Sequence, residues 1–243
     1  MVPESKKSHR RLISRTSTLP NQNEYTLALD RELSHVAFSE ERAGQWKGLW
    51  QREIFRASQH VGDVNRLARP LDLEIGTGNG TFFAAQAKRF PERDLIGIEL
   101  KYKPLIQTIR RALRDGAENA IVIRYHAFNI EDLFEPNELN DIYIHFPDPW
   151  VAPRKPKNRV VGQPILDSLF KMQKSGSALN FKTDSREYFL WAMDEIRKTK
   201  YLIEFETMNL HQSLWREKNF ETAFEKIFLK KNIEINFVRL IKP

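Results

Sequence analysis

Leu71-Asp72-Leu73-Glu74-Ile75-Gly76-Thr77-Gly78-Asn79-Gly80 is a mostly apolar run that passes directly into glycines at alternate positions, with a helical pattern over 81–89 behind it. Glycine suits backbone turns that other residues resist, and it lets the main chain come close to a ligand. Outward from this stretch the same alternation continues. Strand-like runs recur at 95–98, 120–124, 141–146 and 178–181, and helical patterns at about 102–114, 163–174 and 185–198 separate them. Such alternation predicts an α/β fold of Rossmann-like form, with a mostly parallel sheet, helices on both faces and ligands at the carboxyl ends of the strands. The tail reads as a strand near 201–206, a helix near 214–228 and a last, antiparallel strand near 233–240. Upstream, Trp46, Leu49, Trp50, Ile54 and Phe55 keep helical spacing between residues 39 and 59, which predicts a helix with Ser39 as its N-cap.

The second strand-like run ends in Glu99, about 20 residues past the glycines, where a carboxylate can accept both hydroxyls of a ribose. By itself the glycine pattern also fits a plain tight turn. The strand before it and Glu99 after it point instead to an adenosine-containing ligand. Glu74 separates two classes of such ligand. Beside the pyrophosphate of a dinucleotide its charge would repel, whereas it suits the amino group and sulfonium of S-adenosylmethionine. A dinucleotide oxidoreductase is disfavoured further by the lack of an obvious hydride-transfer residue.

The fourth run delivers Phe146-Pro147-Asp148-Pro149-Trp150 to the same edge of the sheet. Two prolines stiffen this loop and hold Asp148 and Trp150 in fixed relation. A plainer reading is a proline-rich turn with a core tryptophan. A carboxylate beside an aromatic face is nonetheless what a methyltransferase acting on a flat nucleobase needs, because the ring stacks while hydrogen bonds orient its edge. Directly after it come Arg154, Lys155, Lys157 and Arg159 with no acid among them, a loop expected to meet RNA phosphates. The basic residues Lys101, Lys103, Arg110, Arg111 and Arg114 read first as solvated helix surface and second as an RNA contact.

Composition narrows the classes. The 243 residues carry 39 Lys and Arg against 32 Asp and Glu, a net charge of +7 that suits a polyanionic partner. With no cysteine, disulfides, thiol nucleophiles and Cys-based zinc sites are excluded. The six histidines show no ligand spacing, so no metal is expected, and His145 reads as a core residue. No apolar run is long enough to span a bilayer and no signal-peptide stretch opens the chain, so a soluble cytoplasmic protein is expected, with no membrane partner. Residues 1–35, basic and Ser/Thr-rich at their start, read as a flexible arm ahead of a domain over 36–243.

At these residues the sequence resembles the tRNA (guanine-N7)-methyltransferase family of class I methyltransferases. The likeness covers most of residues 70–240 through Glu74-Ile75-Gly76-Thr77-Gly78-Asn79-Gly80, Gly97-Ile98-Glu99, Phe146-Pro147-Asp148-Pro149-Trp150, Thr183-Asp184 and Thr222-Ala223-Phe224-Glu225. It implies S-adenosylmethionine as cofactor and a variable-loop guanine of tRNA as target. It further implies that Glu74, Gly76, Gly78, Gly80, Glu99 and Asp148 line the cofactor site, with Asp148 at the catalytic centre. Asp184, Thr222 and Glu225 would face the guanine, joined by Trp150 and the basic loop. Two departures stand out: Ala152 where the family carries Lys, and His126-Ala127 where it commonly has Asp-Ala near the adenine, which puts His126 at the cofactor site, able to accept from the adenine amino group only through an unprotonated ring nitrogen.

Guanine N7 is unprotonated at neutral pH, so its methylation needs no base, and positioning should dominate the rate. As the ring turns cationic, carboxylates on its N1 and N2 edge are favoured in the transition state. Against these roles, Thr183-Asp184 could simply cap the following helix, and Thr222 with Glu225 has capping-box spacing. A nucleobase methyltransferase acting on an exocyclic amine and a non-catalytic RNA-binding module of the same fold are the competing readings.

Overall fold

The computed structural model describes residues 11–55, 69–150 and 156–243. Its strands are β1 (Ala37–Phe38), β2 (Leu71–Ile75), β3 (Asp94–Glu99), β4 (Ala120–Arg124), β5 (Ile142–His145), β6 (Ala178–Thr183), β7 (Leu202–Thr207) and β8 (Asn236–Ile241). They form one sheet in the order β1-β4-β3-β2-β5-β6-β8-β7, in which only the ladders made by β8 are antiparallel. The helices are α1 (Glu24–Asp30), α2 (Thr81–Arg89), α3 (Tyr102–Arg114), α4 (Gln163–Met172), α5 (Arg186–Ile196) and α6 (Ala223–Lys230).

All five residues of β2 are buried, with the apolar Leu71, Leu73 and Ile75 on one face of the sheet and Asp72 and Glu74 on the other. Leu71, Leu73 and Ile75 join Ile142, Ile144, Leu179 and Phe181 in a core capped by the apolar sides of α4 and α5. On the opposite face Phe83, Leu95, Leu105, Ile109 and Val122 pack with Leu29 and Leu33 under α1, α2 and α3. Asp72 is tolerated in this strand because Arg93 donates to both of its carboxylate oxygens.

Three expectations change. The spacing of Trp46, Trp50 and Phe55 marks a buried apolar cluster rather than one long helix. The chain there makes a 3-10 turn at Glu40–Gln45 and a π turn at Trp50–Ile54, separated at Gly48, whose φ of 69° is left-handed and stops helix propagation. Ser39 makes no side-chain cap bond, and residues 56–68 lie outside the described residues. The helix expected over 214–228 is split, since the Thr222 capping box opens α6 only at Ala223, after a short 3-10 turn at Arg216–Lys218.

The expected arm is the third. Residues 1–10 lie outside the described residues, but Arg11, Ser14 and Thr16 bond to residues of the domain. Glu40 accepts from Thr16 N (2.6 Å) and Thr16 Oγ1 (2.9 Å), and Arg124 bridges Glu40 Oε2 (2.6 Å) to the carbonyl of Ser14 (2.7 Å). The Ser and Thr residues that read as linker chemistry are thus the partners that let a buried Arg–Glu pair sit beside β4.

Candidate functional site

Strand order reverses at β2, with β3 and β4 to one side and β5 and β6 to the other, so a crevice opens at their carboxyl ends. The glycine turn after β2 forms its floor. Gly76, Gly78 and Gly80 hold φ of 78°, 55° and 74°, all left-handed. Their reasons differ. A Cβ on Gly80 would lie 2.5 Å from Thr108 Cα, so glycine there lets α3 close on the loop, whereas a Cβ on Gly76 would meet nothing within 4 Å. Helix α3 then buttresses the turn: Thr77 and Thr108 hydroxyls are 3.0 Å apart, and Arg111 Nε donates to Asn79 O at 3.0 Å.

Two carboxylates flank this floor. Glu99 Oε1 accepts from Leu100 N (2.9 Å) and Lys101 N (3.0 Å), and Oε2 accepts from Gly78 N (3.3 Å), which fixes the carboxylate against the loop. Burial pushes its pKa up, and these backbone N–H groups oppose that rise. Glu74 is buried, and its Oε2 has no hydrogen-bond partner among the described residues. Burial drives its pKa well up, the Lys182 charge draws it down and Glu99 adds to the rise. A buried carboxylate oxygen left unmatched is costly unless a donor or cation reaches it. Beside a glycine with open space over it, Glu74 therefore fits the cationic end of S-adenosylmethionine.

His126 sits at the end of β4, but its Nδ1 accepts from Phe128 N at 3.2 Å. Burial and Arg11 lower its pKa, so the neutral ring carries its proton on Nε2 and can only donate outward. The expected acceptance of an adenine amino group is not available to it.

Asp148 is exposed on the loop after β5, between Phe146 and Trp150, which hold φ of 51° and 45°. Two non-glycine residues in the left-handed region are strained, and strain of this kind persists where surroundings impose it. Arg159 supplies part of that restraint. Only 4% exposed, it donates to Pro149 O at 2.7 Å and Glu187 Oε1 at 2.7 Å and stacks over Tyr188 and Trp191. Expected as a phosphate contact, Arg159 is instead the buried anchor of the Asp148 loop. Lys157 is exposed, and Arg154, Lys155 and Ala152 lie outside the described residues.

Asp184 follows β6. The cap of α5 is Ser185, whose side chain accepts from Tyr188 N at 3.2 Å, while Thr183 Oγ1 accepts from Ser185 N at 3.1 Å. The half-buried Asp184 carboxylate is thereby free of capping, and burial raises its pKa. Glu225 is the opposite case. Fully buried, it accepts from His211 Nε2 (2.7 Å) and Asn219 Nδ2 (2.6 Å) on one oxygen and from Lys182 Nζ (2.7 Å) and Thr222 N (3.3 Å) on the other. Thr222 Oγ1 in turn accepts from Glu225 N at 3.1 Å. Glu225 thus shapes the wall that carries Thr222 and offers no open oxygen of its own. Lys182, which sequence reading passed over, is its counterion at 3% exposure. The signal was a lysine set between Phe181 and Thr183 in a strand-forming run.

Among the described residues no group of three His, Cys, Asp or Glu could hold a metal, and no helix is long and apolar enough to cross a membrane.

Comparison with known proteins adds three findings. The sequence model of a family described as "Putative methyltransferase" matches residues 68–238. A tRNA (guanine-N(7)-)-methyltransferase of Bdellovibrio bacteriovorus is 57% identical over 216 residues, covering 89% of this chain and 100% of that one. One of Listeria welshimeri is 31% identical over 190 residues, 78% of this chain and 83% of its own length. Among solved structures, an antibiotic-related methyltransferase superposes with a TM-score of 0.51 at 19% identity, over 75% of this chain and 95% of that one, a likeness of fold.

Proposed function

Because the chain belongs to the tRNA (guanine-N7)-methyltransferase family, we propose that it methylates N7 of a variable-loop guanine in tRNA, in the cytoplasm. S-Adenosylmethionine supplies the methyl group from a sulfonium. Glu74 holds the cationic end of that donor, and Glu99 receives its ribose hydroxyls. Asp148, on its strained and Arg159-anchored loop, orients donor and base near the transferred methyl, with Trp150 as an aromatic face. Asp184 accepts from the guanine N1 and N2 hydrogens, which become better donors as the ring gains charge.

The observation that carries this reading is a pair of carboxylates at the strand ends: Glu74, with an unmatched buried oxygen, and Asp184, which leaves the cap of α5 to Ser185. Glu225 acts through Thr222 as a positioning residue. Exposed Lys157 meets RNA phosphates, the role its sequence neighbourhood also gives Arg154 and Lys155. Incubation with unmodified tRNA and labelled donor, followed by nucleoside analysis, should yield N7-methylguanosine. Label on an exocyclic amine, or none at all, defeats the proposal.

A further inference from the structure

The sheet beneath β5, β6 and β8 is two-faced. One side sends Ile142, Ile144, Leu179, Phe181, Val238 and Leu240 into the core. The other presents two cross-strand rows, Tyr143–Asn180–Arg239 and His145–Lys182–Phe237. Central strands of a doubly wound sheet are ordinarily apolar on both faces, so five polar side chains in six adjacent positions require a reason.

These rows floor a cavity beside α2, distinct from the crevice already described. Its lining is rich in aromatics, Phe82, Phe90, Trp215 and Phe220, with the Phe82 and Phe220 rings in edge contact at 5.8 Å between centroids. The floor keeps hydrogen-bonding capacity. Tyr143 Oη accepts from Gln86 Nε2 at 2.9 Å and retains its own proton, while His145 Nδ1 is buried with no partner among the described residues. Lys182 is spent on Glu225, Asn219 Oδ1 and Phe220 O, and Arg239 on Glu204 and Asn180. At the rim, Arg89 and Lys218 have no ion pair among the described residues. They lie over Phe90 at 5.2 Å and Trp215 at 4.8 Å, with exposed Glu217 as the neighbouring acid.

We propose that this cavity is a nucleotide subsite: a base stacks on the aromatic lining, its edge meets Tyr143 and His145, and its phosphate lies on Arg89 and Lys218. Phe82 and His145 also line the cleft shared by Glu74, Gly78, Thr222 and Phe224. The two spaces are therefore neighbours, and the nucleotide adjoining the target guanine is the natural occupant. That source rests on the function proposed above. A free nucleoside monophosphate has the same chemistry.

The test compares the full chain with the Arg89→Ala/Lys218→Ala double variant, both changes being at the surface. With a tRNA transcript, the variant should raise KM about tenfold at unchanged kcat and unchanged donor affinity. The slope of log affinity on log salt should fall by about 0.9 for the phosphate lost. In parallel, 5′-GMP should quench Trp215 fluorescence in the wild type and fail to do so in the double variant and in Trp215→Phe. A 5′-GMP response with no change in KM for tRNA assigns the cavity to the free nucleotide. No 5′-GMP response together with a KM within about twofold of wild type overturns the subsite. If the wild type binds no donor or methylates no tRNA, the proposed function falls, and the 5′-GMP titration still decides the cavity.

Discussion

Replacing Lys182 by Met removes one half of an ion pair whose side chains are 3% and 0% exposed. The ammonium donates all three of its protons, to Glu225 Oε2 at 2.7 Å, Asn219 Oδ1 at 3.0 Å and Phe220 O at 3.0 Å. Breaking a buried pair from one side costs about 3–5 kcal/mol, because the abandoned charge stays buried. Glu225 Oε1 keeps His211 and Asn219, so the lower end, about 3 kcal/mol, is expected here. In a chain of this size each kcal/mol moves Tm by about 2–4 °C, giving a fall of about 6–12 °C. The assay is a thermal or urea melt of the full double-mutant cycle with Glu225→Gln. The doubly neutral protein should be less destabilised than the two single costs predict, by at least about 1 kcal/mol. Strict additivity, or a Tm shift for Lys182→Met below about 2 °C, would refute the reasoning. Since the pair fastens the segment bearing Thr222 and the ammonium also draws down the Glu74 pKa, the variant at permissive temperature should lose both guanine methylation and donor affinity.

Asp184→Asn should bind donor normally in calorimetry yet lose turnover by about 10²–10³-fold, the range for removing one preorganised charge-stabilising group; unchanged turnover removes Asp184 from the site. Gly80→Ala meets Thr108 Cα at 2.5 Å with φ at 74°, whereas Gly116→Ala has φ of 80° and no neighbour within 4 Å. Chemical denaturation should therefore show about 3 kcal/mol or more lost for the first and about 1 kcal/mol for the second. Glu74, whose folded pKa is raised by burial, destabilises the ligand-free protein increasingly as pH rises from its unfolded value of about 4.3 through its folded one. Near neutral pH, Glu74→Gln should thus melt higher than wild type while losing the heat shift on adding donor. In the wild type, donor affinity should rise with pH across the same window, and a lower melting point for the Gln variant would contradict this.

Much of the fold was legible because short apolar runs bounded by glycine, proline and charge report parallel strands directly, as in β2 to β6. What misled was spacing without regard to breakers. The tryptophans at 46 and 50 keep a helical interval, but Gly48 stands between them, so the interval records burial alone. The described part of the arm was illegible for another reason. Thr16 and Ser14 matter through Glu40 and Arg124, the latter 110 residues from Ser14, and no local pattern announces such a partner. At the site, residue types marked positions well and duties poorly. Asp184 and Ser185 compete for one cap, and only geometry shows that Ser185 takes it. Arg159 reads as a free cation until its stack over Tyr188 and Trp191 is seen.

The placement of β8 between β6 and β7 bears on how the protein is made. Asn236–Ile241 leaves the ribosome after the other described strands of this sheet, yet it pairs with the strand that leads to Asp184. Until it emerges, β6 carries an open edge, ready to pair with a stray chain. A chain stalled before β8 is accordingly an aggregation hazard.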